Sequence, residues 1–569
     1  MWEISFFLTA TLFFIVTLLL FYLGSRKPHG YPPGPRWWPI LGSALEVKRL
    51  RKETGSLAST FTTLSKKYGP VVGLKIGVDR IVVLNSFESM RSMCLNDICD
   101  GKPFGPVYEV RTFGKRLGLI LTDGNLWNEQ RRFVVRHLRE FGFGKTSMAT
   151  LIEEEAQHLA DYFKKLIRRT TSSTRDNLSN DNNNSSYNNN KKSKDGQIYQ
   201  LIDEMEMTVE KKEKFKPMKL ENVYAKAEDY EEIRRLSQPK SVVISMHDAF
   251  GVPVLNTLWR MMAGRRYNTD DKPLKHLLRI LNKLLGEIDM IGSPFGHFPF
   301  LRYIAPKASG YKAFLETHQE LWHFIKVELQ NHKETFDPNS PRDLMDTYLQ
   351  VLQSEKSNET FSESQLLAIC VDLFMAGSET TSKTIGFCFL YLVLNPEVQK
   401  KAQDEIDSVT SRKRLPTLND KSRMTYVNAI VYESLRIFMG KTMNVPHRAI
   451  EDTYILGHRI PKDTMIVVNF NRVLMDYFWD DSEAFRPERF IDDEGKLAIP
   501  EQFLPFSFGK HRCMGEVLAK SNIFVMVATL LSQFTFSVVP GEEKPISSEF
   551  IDGVTAGPLP YRALVTLRN

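Results

Sequence analysis

Cysteine is scarce in this chain of 569 residues, with five in all: Cys94, Cys99, Cys370, Cys388 and Cys513. So few and so scattered thiols build no disulfide framework, and an odd count fits a reducing compartment. Long basic runs are also missing. Seventy-five Lys and Arg against 68 Asp and Glu leave a net charge of +7, a thin surplus for this size that argues against a nucleic-acid partner. No repeat of fixed period appears, which sets solenoids and propellers aside. Hydrophobic residues at 42% and charged residues at 25% are ordinary globular values and exclude a wholly disordered, collagen-like or coiled-coil chain.

One long charge-free run is present. Ile4–Leu23 holds twenty residues without a charge, and a helix of that length spans about 30 Å, the hydrocarbon thickness of a bilayer. Arg26 and Lys27 follow at once, while Glu3 is the only charge before the run. The basic flank predicts an amino terminus in the lumen and a cytosolic body. A cleaved signal peptide is the competing reading, but the run is too long, lacks a basic start, and ends on a poor cleavage site at Gly24-Ser25-Arg26. A mitochondrial presequence would be amphipathic and Arg-rich, and this run is neither. No second run of this kind follows, so a single pass is expected. The predicted organisation is an anchor over 1–25, a Pro-rich hinge over 26–39 carrying Tyr31-Pro32-Pro33-Gly34-Pro35, and a body over 40–569. Prolines fix φ and remove donors, so the hinge reads as a stiff spacer that orients the body on the membrane.

Within the body, Val71–Ile76 and Arg80–Leu84 read as strands, and Gly124–Glu140 and Lys145–Ile167 as helices. Composition then shifts: eight of the fourteen residues Asn177–Asn190 are asparagine. A stretch so poor in apolar side chains cannot offset its ordering entropy, so 170–240 is predicted to be a disordered insertion in a loop. From Ser241 the chain reads as helix-rich again. Gln365–Leu394 is the longest apolar helical pattern, ended by Asn395-Pro396. Short β-runs follow after Met439, then a helix over Gly515–Gln533 and a final strand pair. The predicted class is mainly α with small β-sheets, an α+β body built as one large domain.

Phe506-Ser507-Phe508-Gly509-Lys510-His511-Arg512-Cys513-Met514-Gly515 carries the most specific chemistry. Gly509 supplies turn freedom and Gly515 lets a flat ligand approach the following helix. A thiolate at a helix amino terminus is stabilised by free N–H groups and the helix dipole. A single cysteine is more often structural, and that reading is kept for the other four, which have no such setting.

This segment resembles the haem-binding signature of the cytochrome P450 family, Phe-x-x-Gly-x-Arg-x-Cys-x-Gly. It matches at Phe506, Gly509, Cys513 and Gly515 and departs at His511, where the family has arginine. The resemblance implies a haem-thiolate fold with haem b as cofactor and Cys513 as the iron ligand, since an axial thiolate favours O–O cleavage. At His511 it implies a shorter, titratable donor to a haem propionate. Three more matches lie in the family's order. Ala376-Gly377-Ser378-Glu379-Thr380-Thr381 implies room for dioxygen at Ala376 and Gly377, with Glu379 and Thr380 delivering protons. Glu433-x-x-Arg436, followed by Pro487-Glu488-Arg489-Phe490, implies a buried structural network. Trp127 and Arg131 on one helix face, and His447 in Pro446-His447-Arg448, resemble propionate donors.

A membrane-anchored monooxygenase of the microsomal type is what these matches imply, with the animal group of drug-metabolising and arthropod hormone-related members the most similar. It would sit in the endoplasmic reticulum as a monomer and act on a small apolar substrate such as a steroid, fatty acid, terpenoid or xenobiotic. Electrons would come from NADPH through cytochrome P450 reductase, with cytochrome b5 a second donor, docked on a basic face bearing Arg132, Arg136, Arg139 and Lys510. Substrate contacts are expected near 102–119, 272–302, 369–380, 440–445 and 555–557, with Phe104, Phe113, Phe374 and Val445 forming an apolar pocket. Peroxide rearrangement without dioxygen is an alternative that the intact Glu379-Thr380 argues against. Haem or sterol binding without turnover is the other.

Overall fold

A computed structural model of the chain describes residues 11, 12, 14, 24–144, 146–180, 241–354, 358–476 and 478–568. The anchor Ile4–Leu23, apart from helical Thr11, Leu12 and Phe14, and the stretch 181–240 lie outside the described residues. Among the described residues no helix is long and apolar enough to cross a membrane.

Strands β1 (Val71–Ile76) and β2 (Asp79–Leu84) form an antiparallel hairpin. Helix α1 (Gly124–Glu140) follows, then α2 (Thr146–Asn180), which runs past the predicted end at Ile167 and into the Asn-rich stretch. Residues from 241 open on a strand, β3 (Ser241–Ser245), before helices α3 (Gly251–Ala263), α4 (Lys272–Glu287) and α5 (Tyr311–Glu334). The expectation of helix from Ser241 is therefore corrected over these five residues. Val242, Val243 and Ile244 are β-branched, and they pair with a strand near the other end of the chain.

Helix α6 (Glu363–Leu394) is the central one. Ser362 caps it, accepting from the Gln365 N–H, and it is largely apolar because most of its residues are buried. After α7 (Thr425–Met439) come β4 (His447–Arg448) and β5 (Met465–Val468). Helix α8 (Glu516–Gln533) leads into β6 (Phe534–Ser537), and β7 (Arg562–Leu567) closes the chain. One sheet has the order β1-β2-β5-β4, with β2 and β5 parallel, and another has the order β3-β7-β6. The mainly α architecture with small sheets is as expected.

The Pro-rich hinge is not a free spacer after Tyr31. The Tyr31 hydroxyl lies 3.2 and 3.1 Å from the carbonyls of Leu74 and Ile81, and the Gly73 N–H donates to the Pro33 carbonyl. A Cβ at Gly34 would sit 2.1 Å from the Gly73 carbonyl oxygen. The close approach of two backbones explains the glycine, and the docking fixes where the preceding residues leave the body.

A buried charge network braces the end of α7. The Glu433 carboxylate accepts from Arg436 Nε at 2.7 Å and Nη2 at 2.8 Å, and from Arg489 Nε at 3.0 Å. Arg436 also donates to the carbonyls of Leu474 and Ser482. Neither Glu433 nor Arg436 has any solvent exposure, so each charge persists only because its partners satisfy it. The predicted structural role of the three residues matches this geometry.

Candidate functional site

The loop before α8 turns back on itself at Ser507 and Gly509, both at positive φ. The Cys513 N–H donates to the Phe506 carbonyl, which folds the loop under the helix start. A Cβ at Gly509 would meet the Cys94 carbonyl oxygen at 2.6 Å, so glycine is required there by contact as well as by conformation. Cys513 opens onto an internal cavity of about 340 Å³. The side chain is exposed to the cavity, yet the protein packed around it pushes the thiol up, while the Gly515 N–H and the cations Arg131 and Arg512 favour the thiolate.

Four further residues singled out in the sequence meet at the same cavity: Trp127, Arg131, His447 and His511. Helix α1 carries Trp127 and Arg131, whose guanidinium lies 5.2 Å from the Trp127 ring centre. The His511 ring stacks on Trp127 at 4.0 Å and meets His447 edge-on at 5.1 Å. His447 is held by Nδ1, 2.8 Å from the Cys99 carbonyl. Burial, together with the neighbouring Lys102, Arg131 and Lys510, pushes His511 down to about 3. These neighbours favour the neutral ring, which keeps one N–H to donate.

Two charged residues of the cavity fall within the expected contact stretches 102–119 and 369–380 but are not singled out by the sequence. Lys102 is 3% exposed and its Nζ reaches only the Pro446 carbonyl, at 3.4 Å. Burial lowers its ammonium to about 7, and among the described residues no carboxylate lies within ion-pair distance. Asp372 is the other. It receives the N–H groups of Leu119 and Ile120 at 2.6 and 3.0 Å and pairs with buried Arg111, which pins the 111–120 loop to α6. Gly101-Lys102-Pro103 reads as an ordinary polar turn, and Asp372 as one acid in an apolar helix. Neither carries a local mark of burial.

Helix α6 presents Ala376, Gly377, Thr380 and Thr384 to the same cavity. A Cβ at Gly377 would sit 2.4 Å from Leu258 Cδ2, so its small size also serves the packing of α3 on α6. The Thr380 hydroxyl donates to the Ala376 carbonyl at 2.8 Å. Glu379 is not on the cavity wall; it is 2% exposed and ion-paired with Lys383 at 3.0 Å.

The apolar pocket differs from the expectation. Val445 lines the cavity, with Leu119, Leu373, Val254 and Val554, but the three phenylalanines do not. Phe374 is buried against Trp259 and Phe324. Phe113 packs edge-on against Trp322, and Phe104 lies under the guanidiniums of Arg116 and Arg448. On the outer face Arg132, Arg136 and Arg139 are exposed, while Lys510 is paired with Asp100 at 3.0 Å.

The family model described as cytochrome P450 matches residues 32–180 and 207–565. The gap between the two segments, 181–206, falls inside the insertion predicted over 170–240. A Drosophila melanogaster protein named "Probable cytochrome P450 303a1" is 38% identical over 99% of this chain and 100% of its own. A Bombyx mori protein named farnesoate epoxidase is 30% identical over 97% of each chain. Cytochrome P450 2D3 of Rattus norvegicus is 30% identical over 99% of this chain and 97% of its own.

Proposed function

Because the chain belongs to the cytochrome P450 family, and is thereby a haem-dependent monooxygenase, we propose that it inserts one oxygen atom from dioxygen into a small apolar substrate with electrons from NADPH. The observation that carries this reading is the convergence of Cys513, Trp127, Arg131, His447 and His511 on one cavity, with Thr380 on the wall formed by α6. The donor set fits a haem. Cys513 would hold the iron, and Arg131, Lys102, the Trp127 indole N–H and the two imidazoles would hold the anionic propionate edge. An unpaired buried ammonium such as Lys102 calls for an anion, and a propionate supplies one.

When bound, the haem supplies the redox chemistry and the activation of dioxygen. The chain's own residues supply the rest. The N–H groups at the start of α8 favour the ionised form of Cys513. The apolar wall excludes water and orients the substrate. Thr380 stands where a proton can pass from its hydroxyl into the cavity, with Glu379 behind it as the acid. Thr380→Ala should therefore divert NADPH electrons to peroxide, with product formed per NADPH falling on the order of a hundredfold. Peroxide release and product would be measured together, and unchanged coupling would remove Thr380 from proton delivery.

The reaction class is that of the family, and a terpenoid is among the substrates the cavity suits, as the silkworm relative's name indicates for that protein. We read the enzyme as a monomer anchored in the endoplasmic reticulum by Ile4–Leu23, its body in the cytosol. Exposed Ile40, Leu41, Val78, Phe300, Tyr303 and Ile304 support this seating. They lie on neighbouring segments, since the Gly77 N–H donates to the Leu41 carbonyl and the Val78 N–H to that of His297, and a patch of this kind suits a lipid surface. The exposed arginines of α1 suit an acidic electron donor, cytochrome P450 reductase with cytochrome b5 as the second.

A further inference from the structure

Glu379 and Lys383 stand one turn apart on α6, an arrangement that on an exposed helix would be an ordinary pair. Here it is not exposed. The Glu379 side chain is 2% accessible and that of Lys383 12%, and the carboxylate and ammonium are 3.0 Å apart. Apart from this ion pair, Glu379 Oε2 receives no hydrogen bond. The lysine has a second anchor. Its Nζ donates to Thr555 Oγ1 at 3.0 Å and lies 3.3 Å from the Thr555 carbonyl. Thr555 lines the cavity, as does Thr380, whereas Glu379 and Lys383 stand behind the wall.

We propose that Lys383 is a positioning residue for proton delivery: anchored on Thr555, it holds the Glu379 carboxylate back from the cavity, so that Glu379 serves Thr380 only when Lys383 releases it. The inference rests on the haem-monooxygenase reading above. A buried carboxylate with one partner goes where that partner is, and this partner is itself tied to Thr555 rather than to Thr380. Thr555 is thereby a single side chain away from the acid, and a substrate seated on that wall has a route to it.

The charges facing Glu379 fix the sign of the test. Burial raises its pKa, Lys383 opposes that rise, and Asp248, itself paired with His247, adds to it. Removing the ammonium leaves burial and Asp248 unopposed, so the carboxyl must hold its proton to higher pH. The test is infrared difference spectroscopy of the haem-loaded, carbon-monoxide-bound full chain, titrated with pH. The protonated carboxyl band assigned to Glu379 is the one that Glu379→Gln deletes. Lys383→Met should move the midpoint of that band up by about one pH unit or more, a tenfold change in protonation. Lys383→Arg, which keeps the charge, should restore it to near the native midpoint. Thr555→Val, which removes the hydroxyl anchor and keeps the shape, should move it in the same direction as Lys383→Met but less. An unchanged midpoint in Lys383→Met, or one shifted equally in Lys383→Arg, would overturn the proposal. The carbon-monoxide spectrum of the same samples separates this failure from that of the haem reading: a thiolate-type Soret band in native protein keeps the latter, whatever the midpoints do.

Discussion

Replacing Cys513 by alanine is expected to abolish the thiolate-type spectrum of the reduced, carbon-monoxide-bound protein and all NADPH-dependent oxygenation. The effect is total because nothing nearby can take the role. Cys94 lies 3.6 Å from the Ser507 hydroxyl, and neither it nor Cys99 is on the cavity wall. Cys99 is buried and pushed up to about 12 by its surroundings, far from the ionised form an iron ligand needs. The imidazoles lie beside Trp127, His511 against the indole and His447 edge-on to His511. Haem held without Cys513 would therefore show a Soret band without the red shift. Retention of the shifted band in Cys513→Ala would remove Cys513 as ligand and, with it, the site described above.

The second large effect is structural. Glu433→Ala leaves the guanidinium of Arg436, which has no solvent exposure, without its carboxylate. Arg489 loses its contact at 3.0 Å as well. Breaking a buried pair from one side costs about 3–5 kcal/mol, against a total stability of roughly 5–15 kcal/mol for a folded domain. Glu433→Ala should yield little or no haem-loaded protein on expression at 37 °C, and any protein recovered at lower temperature should melt well below the native chain. Glu433→Gln, which keeps hydrogen bonds but not the charge, should fall between the two. Normal haem content and melting with lost turnover would instead make Glu433 catalytic and contradict the assignment to folding.

What the sequence makes legible follows from the range of the interactions involved. Helix α1 and strand β1 coincide with their expected limits at Gly124–Glu140 and Val71–Ile76, because periodicity and flanking turns are local properties. Strand β3 escapes because its partner, Arg562–Thr566, lies at the other end of the chain, and three apolar residues between two serines do not reveal a distant neighbour. The site divides in the same way. Cys513, Thr380, Trp127, Arg131, His447 and His511 are legible through motifs of fixed spacing, and all six reach the cavity. Lys102 and Asp372 are not, because their significance is burial of a charge, which tertiary packing decides. The same packing sends Phe374 into the α3–α5–α6 core and Phe113 onto Trp322. Aromatic character alone does not tell a cavity wall from a core.

Glu379 shows the limit most plainly. Its place beside Thr380 in the sequence suggests a pair acting together, yet successive helix positions point in directions about 100° apart. Thr380 faces the cavity and Glu379 faces Lys383. The two can cooperate only through a change in that ion pair, which makes Lys383 part of the site.

The central claim is that Cys513 ligates a haem iron in this cavity, and the difference spectrum of the reduced, carbon-monoxide-bound protein in membranes tests it most directly. A strongly red-shifted Soret band in the native chain, lost in Cys513→Ala, is the predicted result. A haem band without that shift in the native chain would mean that the thiol is protonated or displaced, and a chain that binds no haem at all would contradict the account outright.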